Sequence, residues 1–97
     1  MQALLKRYPL TFRGLRSGIE CREGWYPLID RAAKQTEARL QKLPTEGKEL
    51  PTSLQVKEKM GVLCWYWNQH DDTTLKTITQ EAVKRSISTC EQCGRDV

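Results

Sequence analysis

The clearest pattern of apolar and polar positions lies between residues 25 and 43. Small or apolar side chains recur there at spacings of three and four: Trp25, Leu28, Ile29, Ala32, Thr36, Leu40 and Leu43. This spacing places them in one stripe and predicts a helix of about five turns. Pro27 fits the first turn, where no backbone N–H is needed, and Pro44 is expected to end the helix.

A second long helix is predicted to begin after residue 72 and to end near Ser88. Its apolar positions are again three or four residues apart: Leu75, Ile78, Ala82, Val83 and Ile87. Asp72 or Thr73 can cap its first turn by accepting a hydrogen bond from a free N–H group. Residues 2–8 are predicted to form a short helix that Pro9 ends, and residues 10–24 are expected to be mostly loop.

Between the two long helices the period changes from helical to alternating. Leu54, Val56 and Met60 alternate with polar side chains, and residues 62–67 are apolar on both faces. After a loop over 44–53, this pattern predicts a hairpin that turns at residues 59–61. Residues 19–21 are interpreted as a short edge strand.

The sequence therefore predicts one α+β domain over residues 1–97. The long helix and the C-terminal helix are expected to pack on a short antiparallel hairpin or three-stranded sheet. The predicted core residues are Trp25, Leu28, Ile29, Leu40, Leu75, Ile78 and Val83.

Length and composition restrict the function classes. A chain of 97 residues has room for one core and no deep cleft. It contains no apolar run long enough to cross a bilayer, so no membrane partner is expected. Lys6 and Arg7 stand where a secretion signal needs apolar residues, which favours a cytoplasmic protein. In that compartment, cysteines are thiols or metal ligands before they are disulfides.

The net charge of +4 is concentrated in the first half of the chain. Residues 1–42 carry nine Lys and Arg against four Asp and Glu, whereas residues 43–97 carry seven against eight. A basic half favours an acidic protein face or nucleic acid, unless it is simply a solvated helix surface. No base-reading motif is present, so sequence-specific nucleic-acid binding is not expected. The basic residues that could contact phosphates are Lys6, Arg7, Arg13, Arg16, Arg22 and Arg31.

The predicted second strand of the hairpin is unusually aromatic. Leu63, Trp65 and Trp67 share one face, and Val62, Cys64 and Tyr66 share the other. Two helices cover one face of a small sheet, so the other face needs a cover or a partner. One interpretation makes it a partner-binding surface formed by Trp65, Tyr66 and Trp67, with Arg13 and Arg16 on a mobile basic loop nearby. In the alternative interpretation, residues 9–20 fold over the strand.

The segment Cys90-Glu91-Gln92-Cys93-Gly94 has the form of half a zinc site. Structural zinc needs four ligands, and two further ones must come from Cys21, Cys64, His70 or another chain. Cys21 is the best third ligand within one chain, and a homodimer could instead supply four sulfurs from two knuckles. The favoured expectation is a knuckle without bound metal, and therefore no cofactor.

Catalytic chemistry has little support in the sequence. A reversible disulfide between Cys90 and Cys93 is one alternative, although the pair follows a helix instead of beginning one. His70, beside Asp71 and Asp72, is the only candidate for a catalytic base. No motif combines a nucleophile, a base and oxyanion donors, so we expect a protein that is not an enzyme.

Four blocks stand out in order along the chain: Tyr8-Pro9 with Phe12, then Gly18 to Cys21 running into Gly24-Trp25-Tyr26 and Leu28-Ile29-Asp30, then residues 55–61 with Leu63 and Tyr66, and Thr89 to Gly94. Together they resemble a family of small uncharacterised bacteriophage and prophage proteins. Family members usually continue to a second metal-ligand pair, and this sequence has none after Gly94.

The resemblance implies a phage or prophage origin and a location in the host cell. The function expected from it is stoichiometric binding to a host protein, for example to inhibit a host defence system such as CRISPR–Cas. The alternative is a zinc-knuckle protein that binds nucleic acid or regulates phage genes.

Overall fold

Four helices and three strands follow one another along residues 2–43 and 50–96, the parts of the chain that this computed structural model describes. In chain order the elements are α1 Gln2–Arg7, α2 Pro9–Phe12, β1 Ile19–Glu20, a 3₁₀ turn Glu23–Trp25, α3 Tyr26–Lys42, β2 Ser53–Lys59, β3 Val62–Trp67 and α4 Thr73–Ile87. The α+β class, the two long helices and the hairpin are confirmed. The predicted helix stop at Pro44 and most of the predicted 44–53 loop lie outside the described residues.

The three strands form one mixed sheet in the order β1-β2-β3. β2 and β3 pair antiparallel, with Val56 opposite Trp65, and the turn between them is Met60-Gly61. Both turn residues have positive φ, 55° and 81°, which is the conformation that two-residue hairpins favour. β1 pairs parallel with β2, so the prediction of an antiparallel sheet is wrong at this strand. The reason is that α3 lies between β1 and β2 and returns the chain in the same direction.

The core lies on one side of the sheet. Five of the seven predicted core residues are buried, while Ile78 and Val83 are half-buried. Ile87, assigned to the same stripe, is 63% exposed, because the buried face of α4 runs through Leu75, Ala82 and Ser86 and Ile87 lies to one side of it. The prediction of loop over residues 10–24 is wrong at α2, which supplies Phe12 to the core, where its ring stacks on Trp65.

A buried carboxylate holds α2 in place. This four-residue helix has no side-chain cap of its own. Glu37 on α3 supplies one: Oε1 accepts hydrogen bonds from Thr11 N (2.8 Å) and Thr11 Oγ1 (2.9 Å), and Oε2 accepts from Leu10 N (3.1 Å). Glu37 is 7% exposed, so it serves as a tertiary cap for N–H groups that would otherwise be buried without partners.

A second polar contact joins α3 to the start of α4. The guanidinium of Arg39 donates from Nη2 to Asp72 Oδ2 at 2.9 Å. Asp72 also accepts from Leu75 N at 2.8 Å, which confirms it as the predicted cap of α4. Arg39 is the main reason that the pKa of Asp72 lies below its ordinary value.

One backbone N–H on the outer edge of β3 is bonded to α4, and a side chain of the same strand is bonded to it as well. Ser86, which is fully buried, accepts a hydrogen bond from Leu63 N at 3.0 Å. The indole N–H of Trp67 donates to Thr79 Oγ1 at 2.9 Å. An unpaired strand edge invites another strand, and these contacts with α4 reduce that hazard.

We predict that Glu37→Gln lowers the free energy of unfolding by about 1–3 kcal/mol. The amide keeps one acceptor oxygen but turns an NH₂ group toward backbone donors that then lack a partner. Urea unfolding followed by tryptophan fluorescence measures the change. The control is Glu81→Gln, whose exposed carboxylate pairs with Arg85 at 3.7 Å and should contribute less than about 0.5 kcal/mol. Equal losses in the two variants would contradict the capping role.

Candidate functional sites

One face of the sheet carries only side chains that keep contact with solvent. From the strand register, residues opposite one another on neighbouring strands point to the same face. We define the outer sheet face by Glu20, Gln55, Lys57, Lys59, Val62, Cys64 and Tyr66. None of these seven is buried, whereas Val56, Leu63 and Trp65 on the opposite face are.

Tyr66 is the most exposed aromatic residue of β3. It is 47% exposed, and the Nζ atom of Lys57 lies 5.9 Å from the centre of its ring. A hydrogen bond with the side chain of Cys64 raises the pKa of the Tyr66 hydroxyl above its ordinary value. Tyr66 therefore presents a neutral ring beside a cation, which suits contact with another molecule.

The two tryptophans of β3 take different positions. Trp65 is 6% exposed, its indole N–H donates to Ser53 Oγ at 2.7 Å, and its ring stacks on Phe12. The prediction that Trp65 contacts a partner is therefore wrong, because its ring is part of the core. Trp67 is half-buried and meets the ring of His70 edge-on, with centroids 5.7 Å apart. Part of the alternative interpretation holds on this inner face, where Phe12 of α2 covers Trp65.

The basic segment at residues 13–16 lies along the sheet instead of forming a mobile loop. Gly14 N donates to Thr52 Oγ1 at 2.9 Å, and Arg16 N donates to a backbone carbonyl of β2 at 3.3 Å. The guanidinium of Arg13 donates to the carbonyl of Leu50 at 2.9 Å. Arg13 is thus tied within the chain, and Arg16 is exposed beside the start of β2.

The cysteine motif forms a tight turn, which we call the knuckle (residues 90–94). Cys90 N donates to the carbonyl of Arg95 at 2.7 Å, and Gly94 N donates back to the carbonyl of Cys90 at 2.8 Å. Gly94 has φ +80°, a conformation in which a residue with Cβ is strained. The flanking residues continue this hairpin through a bridge between Thr89 and Asp96.

The turn of the knuckle affects the acidity of the Cys90 thiol. Hydrogen bonds from the backbone of Cys93 and Gln92, then from the Cys93 side chain and Gly94, lower the pKa of the Cys90 thiol. Cys90 is half-buried and Cys93 is exposed. An arrangement of donors around a thiolate suits either metal ligation or thiol chemistry.

Close backbone packing fixes the knuckle to the 3₁₀ turn before α3. Gly24 N donates to the carbonyl of Glu91 at 2.6 Å. A Cβ atom on Gly24 would overlap the carbonyls of Cys90 and Glu91, and one on Gly94 would lie 3.0 Å from the Gly24 oxygen. The fit therefore requires glycine at position 24, a constraint that nothing in the local sequence around Gly24 indicates.

Two hydrogen bonds surround this glycine contact. The indole N–H of Trp25 donates to the carbonyl of Thr89 at 3.0 Å, and Arg22 N donates to Glu91 Oε2 at 3.0 Å. The knuckle is thus held by backbone and side chain alike. The apolar spacing predicts Trp25 in the core, where it lies, but it does not indicate that the indole N–H would hold the chain before the knuckle.

The structure does not bring Cys21 into a ligand set. Cys21 packs against the hydrophobic core, and burial, followed by the charge of Glu91, raises the pKa of its thiol to about 12. Within residues 2–43 and 50–96, no group of three or more His, Cys, Asp or Glu side chains is placed to hold a metal ion. The prediction that Cys21 completes a three-sulfur set with Cys90 and Cys93 is therefore wrong.

The other two ligand candidates lie elsewhere. His70 precedes α4 and the knuckle follows it, so the 15 residues of that helix separate them by roughly 22 Å. Cys64 lies on the outer sheet face.

Comparisons with protein-family models, with curated proteins and with solved structures find no match to this chain. Among the helices in the described part of the chain, none has both the length and the apolar character needed to cross a membrane.

We predict that Gly24→Ala destabilises the protein by about 1–3 kcal/mol, because the methyl group overlaps the carbonyls of the knuckle. Thermal unfolding measures the loss. The matched control is Gly18→Ala, since a Cβ atom there meets nothing within 4 Å. Without a clash, this change should leave stability unaltered or raise it by up to about 1 kcal/mol. A Gly24→Ala protein as stable as Gly18→Ala would refute the close packing.

A pH dependence is predicted from His70. Its Nδ1 accepts a hydrogen bond from Asp72 N at 3.1 Å, and burial, then the charge of Lys76, lower its pKa. The neutral ring is thus favoured in the folded state. The contribution of the neutral His70 ring to the free energy of unfolding is present above the ordinary histidine pKa of about 6.5. It is lost as the pH falls through the lower folded-state pKa.

His70→Asn, which keeps an acceptor but does not titrate, tests this dependence. The free energy of unfolding should fall less in the variant than in the wild type between about pH 7 and pH 5. Identical pH profiles would exclude the role assigned to His70.

Proposed function

We propose that this protein is not an enzyme and acts by stoichiometric binding, through its outer sheet face, to an acidic surface of a protein partner. The observation that carries the proposal is Tyr66, which is 47% exposed among the solvent-accessible side chains of that face. Lys57 and Lys59 lie on the same face and Glu20 is its one acidic member, so the face is basic.

The chemistry of the face suits a protein partner. A tyrosine combines an apolar ring with a polar tip and is enriched among the residues that dominate binding energy. Lys57 beside the ring adds attraction for a carboxylate that approaches Tyr66. Opposite charges across an interface raise the association rate and exclude wrong partners more than they raise affinity.

A protein partner is favoured over nucleic acid by the number of available rings. Sheets that bind single-stranded nucleic acid stack successive bases on several exposed aromatic rings. Here Trp65 is in the core and Trp67 is half-buried against His70, which leaves Tyr66 alone on the outer sheet face. The zinc-knuckle nucleic-acid protein is therefore the second candidate.

The finer proposal is a phage or prophage protein that binds a host protein in the cytoplasm of the host cell. Its support is the resemblance of residues 24–30, 55–61 and 89–94 to small phage proteins. Inhibition of a host defence system such as CRISPR–Cas would need affinity and no catalytic group. A basic, rigid face on a small domain meets that requirement.

The test begins with the tagged protein as bait in a bacterial lysate and with mass spectrometry of what it retains. The retained protein is then purified and titrated against three variants by calorimetry. Tyr66→Ala should weaken binding by roughly 30-fold if the ring contributes about 2 kcal/mol. Lys57→Glu with Lys59→Glu should weaken it further and reduce its salt dependence. Lys34→Glu with Lys84→Glu, the same charge change at exposed positions of α3 and α4, should bind like the wild type.

Two results would overturn the proposal. Unchanged affinity for Tyr66→Ala and for the double lysine variant would exclude the outer sheet face. Tight binding of duplex DNA at physiological salt, where contacts made only to phosphates are weak, would favour the second candidate.

A further inference from the structure

The knuckle presents two sulfur ligands and lacks the rest of a metal site. Cys93 is exposed and Cys90 is half-buried, so both lie within reach of a molecule at the surface. The backbone closes a tight turn around the pair, since Cys90 N donates to the carbonyl of Arg95 and Gly94 N donates to the carbonyl of Cys90. A closed Cys-x-x-Cys turn is the usual form in which a chain supplies two of the four ligands of a structural zinc site.

The geometry points to a Zn²⁺ site shared by two copies of this chain, in which Cys90 and Cys93 of each copy supply four sulfur ligands. Zinc in structural sites is tetrahedral, with sulfur at about 2.3 Å, and four thiolates are a common set. A two-fold axis through the metal would place identical knuckles on either side of it. The binding step exchanges one Zn²⁺ for up to four thiol protons and involves no oxidation.

The knuckle is prepared for such a site because its position is already fixed. Gly24 N donates to the carbonyl of Glu91, and the indole of Trp25 donates to the carbonyl of Thr89. A ligand pair on a rigid support loses little conformational freedom when the metal binds.

The two remaining ligands must come from a second copy of the chain, because no other described ligand side chain joins the pair. Cys21 packs against the core, and His70 lies at the far end of α4. No described cluster of ligand side chains adds a third residue to the pair. One knuckle alone would leave half of the coordination sphere to water.

The charges around the knuckle permit two copies to meet. Arg22 and Arg95 are positive, while Glu23, Glu91 and Asp96 are negative, and all five have some exposure. When two copies bring this surface of mixed charge together, positive groups can lie opposite negative ones, so the copies are not repelled as two surfaces of one sign would be. Glu91 also engages Arg22 N, so part of its charge is already compensated.

The experiment uses the full, reduced chain with zinc chloride as the only added metal. Zinc per chain is measured after gel filtration, and mass by analytical ultracentrifugation. We expect half a zinc per chain and a dimer that EDTA converts to monomer. Co²⁺ in place of zinc should give the intense visible and near-ultraviolet bands of four-sulfur coordination.

Two variants locate the site. Cys93→Ser, at an exposed position, should keep the circular dichroism of the fold and lose both the metal and the dimer. Cys64→Ser removes a thiol elsewhere and should keep both. Tyr66→Ala should also keep both, which separates this site from the outer sheet face.

Four results would overturn the shared site. They are one zinc per chain in a monomer, no zinc at all, a dimer that reductant dissociates and EDTA does not, and unchanged zinc binding in Cys93→Ser. The third of these would indicate a disulfide between chains.

Discussion

The backbone of Gly24 touches the backbone of the knuckle with no side chain between them, and the arrangement of the two long helices depends on this contact. The hydrogen bond from Gly24 to Glu91 joins the start of α3 to the chain just beyond α4. At the opposite ends of the same helices, Arg39 of α3 binds Asp72 before α4. The two helices are thus antiparallel and fastened at both ends, so neither can slide along the other without breaking a polar contact.

Fastened helices leave the sheet with one covered face and one free face. The buried hydroxyls of Ser53 and Ser86 join the layers, because they accept hydrogen bonds from Trp65 and from the outer edge of β3. The edge of β3 is therefore occupied at Leu63, and the surface that remains is the outer sheet face with Tyr66. This face stays exposed because a chain of 97 residues has room for one core, and that core covers the opposite face of the sheet.

Periodicity in the sequence was sufficient to predict α3, α4 and the hairpin, because each has a repeated apolar pattern of its own. It was insufficient for α2, a four-residue helix capped by Glu37 from another helix, since no local signal records a tertiary cap. The parallel pairing of β1 was missed for a similar reason, because two residues carry no pattern. The alternating pattern of β3 correctly places Trp65 and Tyr66 on opposite faces of the sheet. Only tertiary packing decides which of the two faces the helices cover.

The candidate sites were predictable to different degrees. The Cys-x-x-Cys-Gly spacing marks the knuckle without help from structure. Its support by Gly24 could not be predicted, because a glycine before a helix is consistent with many turns and only the fold brings position 24 against position 91. For the same reason, Cys21 is a reasonable third ligand by sequence, whereas in the structure it is half-buried and packs against the core.

The two proposals together describe a bivalent binder. A zinc ion shared between two knuckles would join two copies, and each copy would keep its own outer sheet face with Tyr66 and Lys57. When both faces reach sites on one target or on one assembly, the second contact forms at a high effective concentration, and overall affinity can rise by about 10²–10⁴ without new contacts. A small face of modest affinity would then bind tightly only when metal is present, so zinc would set the strength of binding without touching the partner.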